Sequence, residues 1–130
     1  MINSKELRIG NYVQDSDKIL GRVTAIFDNH VEVSHYNGRT LVLAYSENIE
    51  PIPITEEWLL KLGFSLIDPL TYRRPINDIL GIELIIHPEK ILVSLSGPFG
   101  MVNLKSIRYI HELQNPYFWL SGGKELTIKE

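Results

Sequence analysis

The sequence predicts a β-rich α+β fold: a small N-terminal SH3-like barrel or meander, then an antiparallel sheet with two short helices. Three observations predict it. Seventeen Ile and seven Val stand against two Ala, and β-branched side chains suit pleated strands better than helices. Apolar and polar residues alternate with period two in three successive stretches between residues 22 and 45. At Thr55 the period becomes helical, and from Gly81 it returns to two. With 130 residues and no cysteine, the chain can bury a core without disulfides or Cys-ligated metal.

The strands follow from the alternation. Val23, Ala25 and Phe27 alternate with Thr24 and Ile26, Val31 and Val33 with Glu32 and Ser34, and Leu41, Leu43 and Tyr45 with Val42 and Ala44. Asp28-Asn29 separates the first pair. Asn37-Gly38 separates the second, and this dipeptide tolerates the two positive φ angles of a type I′ hairpin. Asn11–Gln14 before this meander and Ile49–Ile52 after it supply outer strands. Pro51 and Pro53 each remove a ladder donor and therefore belong at an edge. Five short strands in so little chain suggest an SH3-like barrel.

Thr55 caps a helix whose first turn holds Glu56 and Glu57, where the helix dipole favours acids. Trp58, Leu59 and Leu62 form its apolar stripe, and Gly63 takes the left-handed position that lets Phe64 fold back on Leu59. Gly81–His87 and Ile91–Ser96 read as strands across the turn Pro88-Glu89-Lys90, with further strands at Phe64–Ile67, Tyr72–Arg74 and Met101–Leu104. Ile107, Ile110, Gln114, Tyr117 and Phe118 have helical spacing, opened by Ser106 or Asn103 and closed by Gly122-Gly123. Pro116 lies inside, and an interior proline costs about 3 kcal/mol, so a kink or break is expected near Asn115. Glu125–Ile128 then returns to a sheet edge. One compact domain is expected over residues 1–130, with subdomains 1–54 (the barrel) and 55–130 (α+β) meeting at the rigid Pro51-Ile52-Pro53 stretch.

Thirteen Lys and Arg against sixteen Asp and Glu give a net charge of −3, spread over both halves. Without a basic face, nucleic acid is a disfavoured partner, because duplex affinity comes mainly from neutralised phosphates. The first residues lack the apolar core of a signal peptide, and no apolar run reaches membrane-span length. The expected location is a cytoplasm.

Catalytic and metal motifs fail on inspection. His111-Glu112-Leu113-Gln114-Asn115 begins like a zincin helix, but Asn115 stands where the second imidazole is required, so it reads as a His–Glu pair on a helix surface. His87-Pro88-Glu89 lacks the cysteines of a deaminase site. Ser121-Gly122-Gly123-Lys124 lacks the earlier glycine and the hydroxyl of a phosphate loop, and Gly97-Pro98-Phe99-Gly100 reads as a hairpin turn rather than an RNA-clamping loop. His30, His35, His87 and His111 are scattered without a partner at motif spacing. The protein is therefore expected to be no enzyme and to use no cofactor or metal.

Two features exceed a plain scaffold. Tyr72-Arg73-Arg74, helped by Arg108, combines an aromatic face with guanidinium forks that grip phosphate and stack on bases. On a strand Tyr72 and Arg74 share one face and Arg73 takes the other. Tyr109, Tyr117, Phe118 and Trp119 crowd into eleven residues. Positions 117, 118 and 119 lie about 100° apart around a helix axis, so one helix cannot turn all four to its own core, and some of the cluster is either packed under a neighbouring element or exposed as a self-association or partner surface.

Three stretches, Lys5–Val13, Pro51–Phe64 and Tyr109–Phe118, resemble an uncharacterised family of short proteins common on phages and prophages of gut bacteria. The resemblance spans nearly the whole chain and is most specific over Pro51–Phe64. Pro116 departs from it, standing where that family usually has an apolar residue such as Leu. The resemblance implies a mobile-element accessory protein in a bacterial cytoplasm, and no functional residues. The expected function is non-catalytic binding of a host protein or of a second copy, through the aromatic cluster or the edge at Pro51. The alternatives are sequestration of a nucleotide-like anion by Tyr72, Arg73, Arg74 and Arg108, and nucleic-acid binding through the barrel.

Overall fold

The computed structural model describes residues 4–28, 30–35, 40–44 and 49–128. The expected turns at Asp28-Asn29 and Asn37-Gly38, and Tyr45, fall wholly or partly outside the described residues. Contacts divide the chain into two compact units, Met1–Pro53 with Tyr109–Asn115, and Ile54–Arg108 with Pro116–Glu130.

The first unit holds an antiparallel sheet of β1 (Tyr12–Asp15), β2 (Leu20–Ile26), β3 (His30–His35), β4 (Thr40–Ala44) and β5 (Ile49–Glu50), in the order β4-β3-β2-β1-β5. Leu7, Val13, Val23, Val31, Val33 and Ile49 form its core. The alternation that seats Val23 inside does not extend along β2. The register against β3 shifts between Val23 and Ala25, and a bulge residue re-aims the side chains that follow it, which leaves Phe27 45% exposed. Gly21 is required by close approach, since a Cβ there would stand 2.2 Å from Val33 Cγ1.

The second unit opens with α1 (Glu56–Lys61). Thr55 Oγ1 accepts from the Trp58 N–H at 3.2 Å. Its end is a Schellman motif: Phe64 N–H donates to Leu59 O, Gly63 N–H to Leu60 O, and Gly63 has φ 88°. Leu59, Leu62 and Phe64 are buried. The five-stranded antiparallel meander β6 (Ser65–Asp68), β7 (Thr71–Pro75), β8 (Gly81–Ile86), β9 (Ile91–Gly97) and β10 (Gly100–Ile107) follows, ordered β10-β9-β8-β7-β6. Gly97–Gly100 is the hairpin turn between β9 and β10. Ile82, Leu84 and Val93 are fully buried on one face of this sheet.

Helix α2 (Ile110–Leu120) corrects three expectations. Ser106 and Asn103 do not open it. They lie in β10, opposite Leu92 and Ser94. The helix begins after Tyr109, whose N–H donates to Glu112 Oε1 at 3.1 Å while Glu112 N–H donates to Tyr109 O, the glutamate half of a capping box.

The helix also runs unbroken through Pro116. The two residues before the proline are held by their side chains. Tyr12 N–H donates to Gln114 Oε1 at 2.7 Å and Gln114 Nε2 donates to Gly10 O at 3.2 Å. Asn115 Oδ1 accepts from Asn11 Nδ2 at 2.8 Å, and Asn115 Nδ2 donates to Glu6 O at 2.8 Å. Net contributions of about 1 kcal/mol per bond together offset the roughly 3 kcal/mol that the proline costs.

Finally, residues 124–128 form no strand. The helix closes at Gly122 and Gly123, with φ 76° and 100°, and the chain beyond buries Leu126 without joining a ladder.

Three outcomes are expected from thermal or chemical denaturation. Gly21→Ala overpacks against Val33 and lowers stability by about 1–3 kcal/mol. Gly81→Ala meets only the end of the flexible Arg73 side chain and costs less. Pro116→Ala returns an N–H to the helix and raises stability by up to about 3 kcal/mol.

Candidate functional site

The second unit carries two adjoining clefts on the side of its sheet that receives α1. The first, of about 220 Å³, is lined by Ile54, Glu56, Leu59, Leu70, Tyr72, Ile86 and Ile91 among others. The second, of about 280 Å³, shares Ile54, Ile86 and Ile91 and adds His87, Glu89, Lys90 and Arg108. Strand geometry puts these residues together. Tyr72 faces Leu84 across β7 and β8, and Ile86 faces Ile91 at the far end of the β8–β9 hairpin, where His87 N–H donates to Lys90 O and closes the turn. Ile54 joins them through its N–H bond to Arg108 O at 3.0 Å.

The result is a groove with an aliphatic floor, the Glu56 carboxylate at one end and Glu89, Lys90 and Arg108 at the other. Tyr72 is 6% exposed. Burial, and then the hydrogen bond and negative charge of Glu56, push its phenol above the ordinary tyrosine range. It is therefore held as a neutral hydrogen-bonding group. Such a groove can seat an elongated apolar body and orient it by charge.

Of the four residues expected to grip an anion, the structure brings only Tyr72 and Arg108 to these clefts. Arg74 shares the Tyr72 face but is engaged within the fold. Its Nη1 donates to Leu62 O, its Nε donates to Tyr117 Oη at 3.2 Å, and its guanidinium lies 5.2 Å from the Tyr117 ring centroid. Arg73 takes the opposite face, opposite Glu83, with its guanidinium lying over Gly81. Four residues close in sequence or charge thus serve three separate surroundings.

The aromatic cluster divides as well. Tyr117 is 3% exposed beneath Arg74, and Tyr109 is half-buried with its ring 6.0 Å from that of His111. Phe118 is half-buried and meets Trp119 edge to face at 5.3 Å. Trp119 itself is 73% exposed.

The expected His–Glu pair on a helix surface is not there. His111 is 1% exposed, with Nε2 3.7 Å from Glu6 Oε2, and Glu112 caps the helix instead. Among the described residues no group of three or more His, Asp or Glu side chains is placed to hold a metal. Sequence reasoning missed Glu56 as the partner of Tyr72, because the fifteen intervening residues carry no local signal of their meeting. It also missed the Gln114 and Asn115 amides, whose partners lie at the other end of the sequence.

Comparison of the chain with family models, with curated proteins and with solved structures finds no match.

The Tyr72 shift has a sign that can be checked. A phenol with a raised folded pKa contributes stability that is fully present below the unfolded value near 10 and is lost as pH rises through the folded value. Thermal denaturation across pH 8 to 11 is expected to show a fall above pH 10 that is shallower in Tyr72→Phe.

Proposed function

We propose that the protein works by non-catalytic contact with another protein, using the end of α2 as its contact surface. The observation that carries this reading is Trp119, 73% exposed on the last turn of a helix and edge to face with Phe118. A large indole left in water forgoes on the order of 2–3 kcal/mol of burial, and tryptophan is the residue type most enriched among interface anchors. Tyr117, about 200° around the helix axis from Trp119, is bound by Arg74, so the turn that offers the indole is fastened to the fold. The half-buried Phe118 gives the anchor an aromatic shoulder that a partner would cover.

The family resemblance supplies the rest of the reading: a phage or prophage accessory protein in a bacterial cytoplasm, whose partner is a host protein. Among the described residues no helix is long and apolar enough to cross a membrane. The first sheet is read as an SH3-like barrel, supported by the return of β5 to pair with β1 after a four-strand meander. Capture of a nucleotide-like anion draws less support, because Arg73 and Arg74 are turned to different faces.

The test is site-specific photo-crosslinking in the bacterial host. A photoreactive phenylalanine analogue at position 119 is expected to give one discrete adduct, which the same analogue at exposed Glu57 does not give. Trp119→Lys is expected to abolish capture of that adduct's partner while leaving the melting temperature unchanged. A position-119 probe that yields no adduct, or the same adducts as position 57, contradicts the reading.

A further inference from the structure

The strand β10 stands at the edge of the second sheet, paired with β9 alone among the described residues. Seven of its eight residues are exposed. Three of them are large and apolar: Met101 at 49%, Val102 at 48% and Leu104 at 41%. Folded proteins ordinarily protect such an edge with brevity, proline, charge or a bulge, because its free N–H and C=O groups invite another strand. β10 is the longest strand among the described residues and has no proline. Its protections, a register shift between Asn103 and Lys105 and the Lys105 ammonium, sit toward its C-terminal end. Gly100–Asn103 has none.

From this edge we infer that β10 pairs antiparallel with β10 of a second copy, extending each sheet into its neighbour. The strand is self-complementary in the register centred on Val102, which sets Val102 against Val102 and Met101 against Asn103, both ahead of the register shift. A β-branched pair at the centre is a favourable cross-strand contact. The only charge on the strand, Lys105, falls outside the paired stretch at both ends. Like charges therefore never meet across the twofold axis. A second copy supplies the same uncharged, unprotected stretch, so no charge is buried in the contact. The inference concerns a surface separate from Trp119 and goes beyond the contact proposed there.

The test is light scattering coupled to size exclusion over a range of protein concentrations, with the intact chain. The wild type is expected to run as a concentration-dependent dimer. Val102→Lys, which sets two ammonium groups against each other on the axis, is expected to stay monomeric at every concentration and to melt where the wild type melts when diluted to monomer. Val102→Ile is expected to keep the dimer, and so is Trp119→Ala, which separates this contact from the aromatic one. A wild type that stays monomeric at its highest soluble concentration overturns the inference. So does a dimer that survives Val102→Lys, or one that Trp119→Ala dissolves.

Discussion

Two adjacent side-chain amides, those of Gln114 and Asn115, take the place of a strand or a disulfide in fastening the N-terminal segment of the chain. Between them they engage Glu6 O, Gly10 O, the Tyr12 N–H and the Asn11 side chain, and Asn11 Oδ1 in turn accepts from the Arg8 N–H at 2.7 Å. Gln114 and Asn11 are both fully buried. A buried amide without partners is costly, so each of these groups is stable only while the others stay in place. This reciprocity fixes where β1 begins and keeps the first half of α2 helical up to Pro116.

Local signals made much of the fold legible. Thr55, Gly63 and Phe64 bound α1 because capping and the Schellman ending are decided within ten residues. The hairpin turns at Pro88–Lys90 and Gly97–Gly100 are equally local. The meander order of the second sheet follows because each strand pairs with the next in sequence. What stayed hidden depends on long-range contacts. Pro116 reads as a breaker on any propensity scale, and only bonds to residues some hundred positions earlier explain why the helix survives it. The bulge after Val23 likewise turns Phe27 outward against a clean period-two pattern.

The candidate site was legible in part, for the same reason. Alternation along β7 correctly separates Arg73 from Tyr72 and Arg74, yet it cannot say that Arg74 is bound to Leu62 O and Tyr117. Composition alone made Tyr72-Arg73-Arg74 look like one grip. In the fold, Arg74 is bonded to Leu62 O and Tyr117 Oη, so a residue that looked like ligand machinery holds the second unit together instead. His111 shows the reverse. It looked like a solvated helix residue and is buried beside Tyr109, because the face of α2 that carries it turns inward together with Leu113 and Gln114.

The amide fastening can be measured directly by chemical denaturation of the double variant Gln114→Ala, Asn115→Ala against the wild type. Each buried group left without its partner costs about 1–3 kcal/mol, so a loss of several kcal/mol is predicted, with early hydrogen exchange at the Tyr12 amide. A loss below about 0.5 kcal/mol, the range of ordinary surface substitutions, with Tyr12 still protected, would contradict the account.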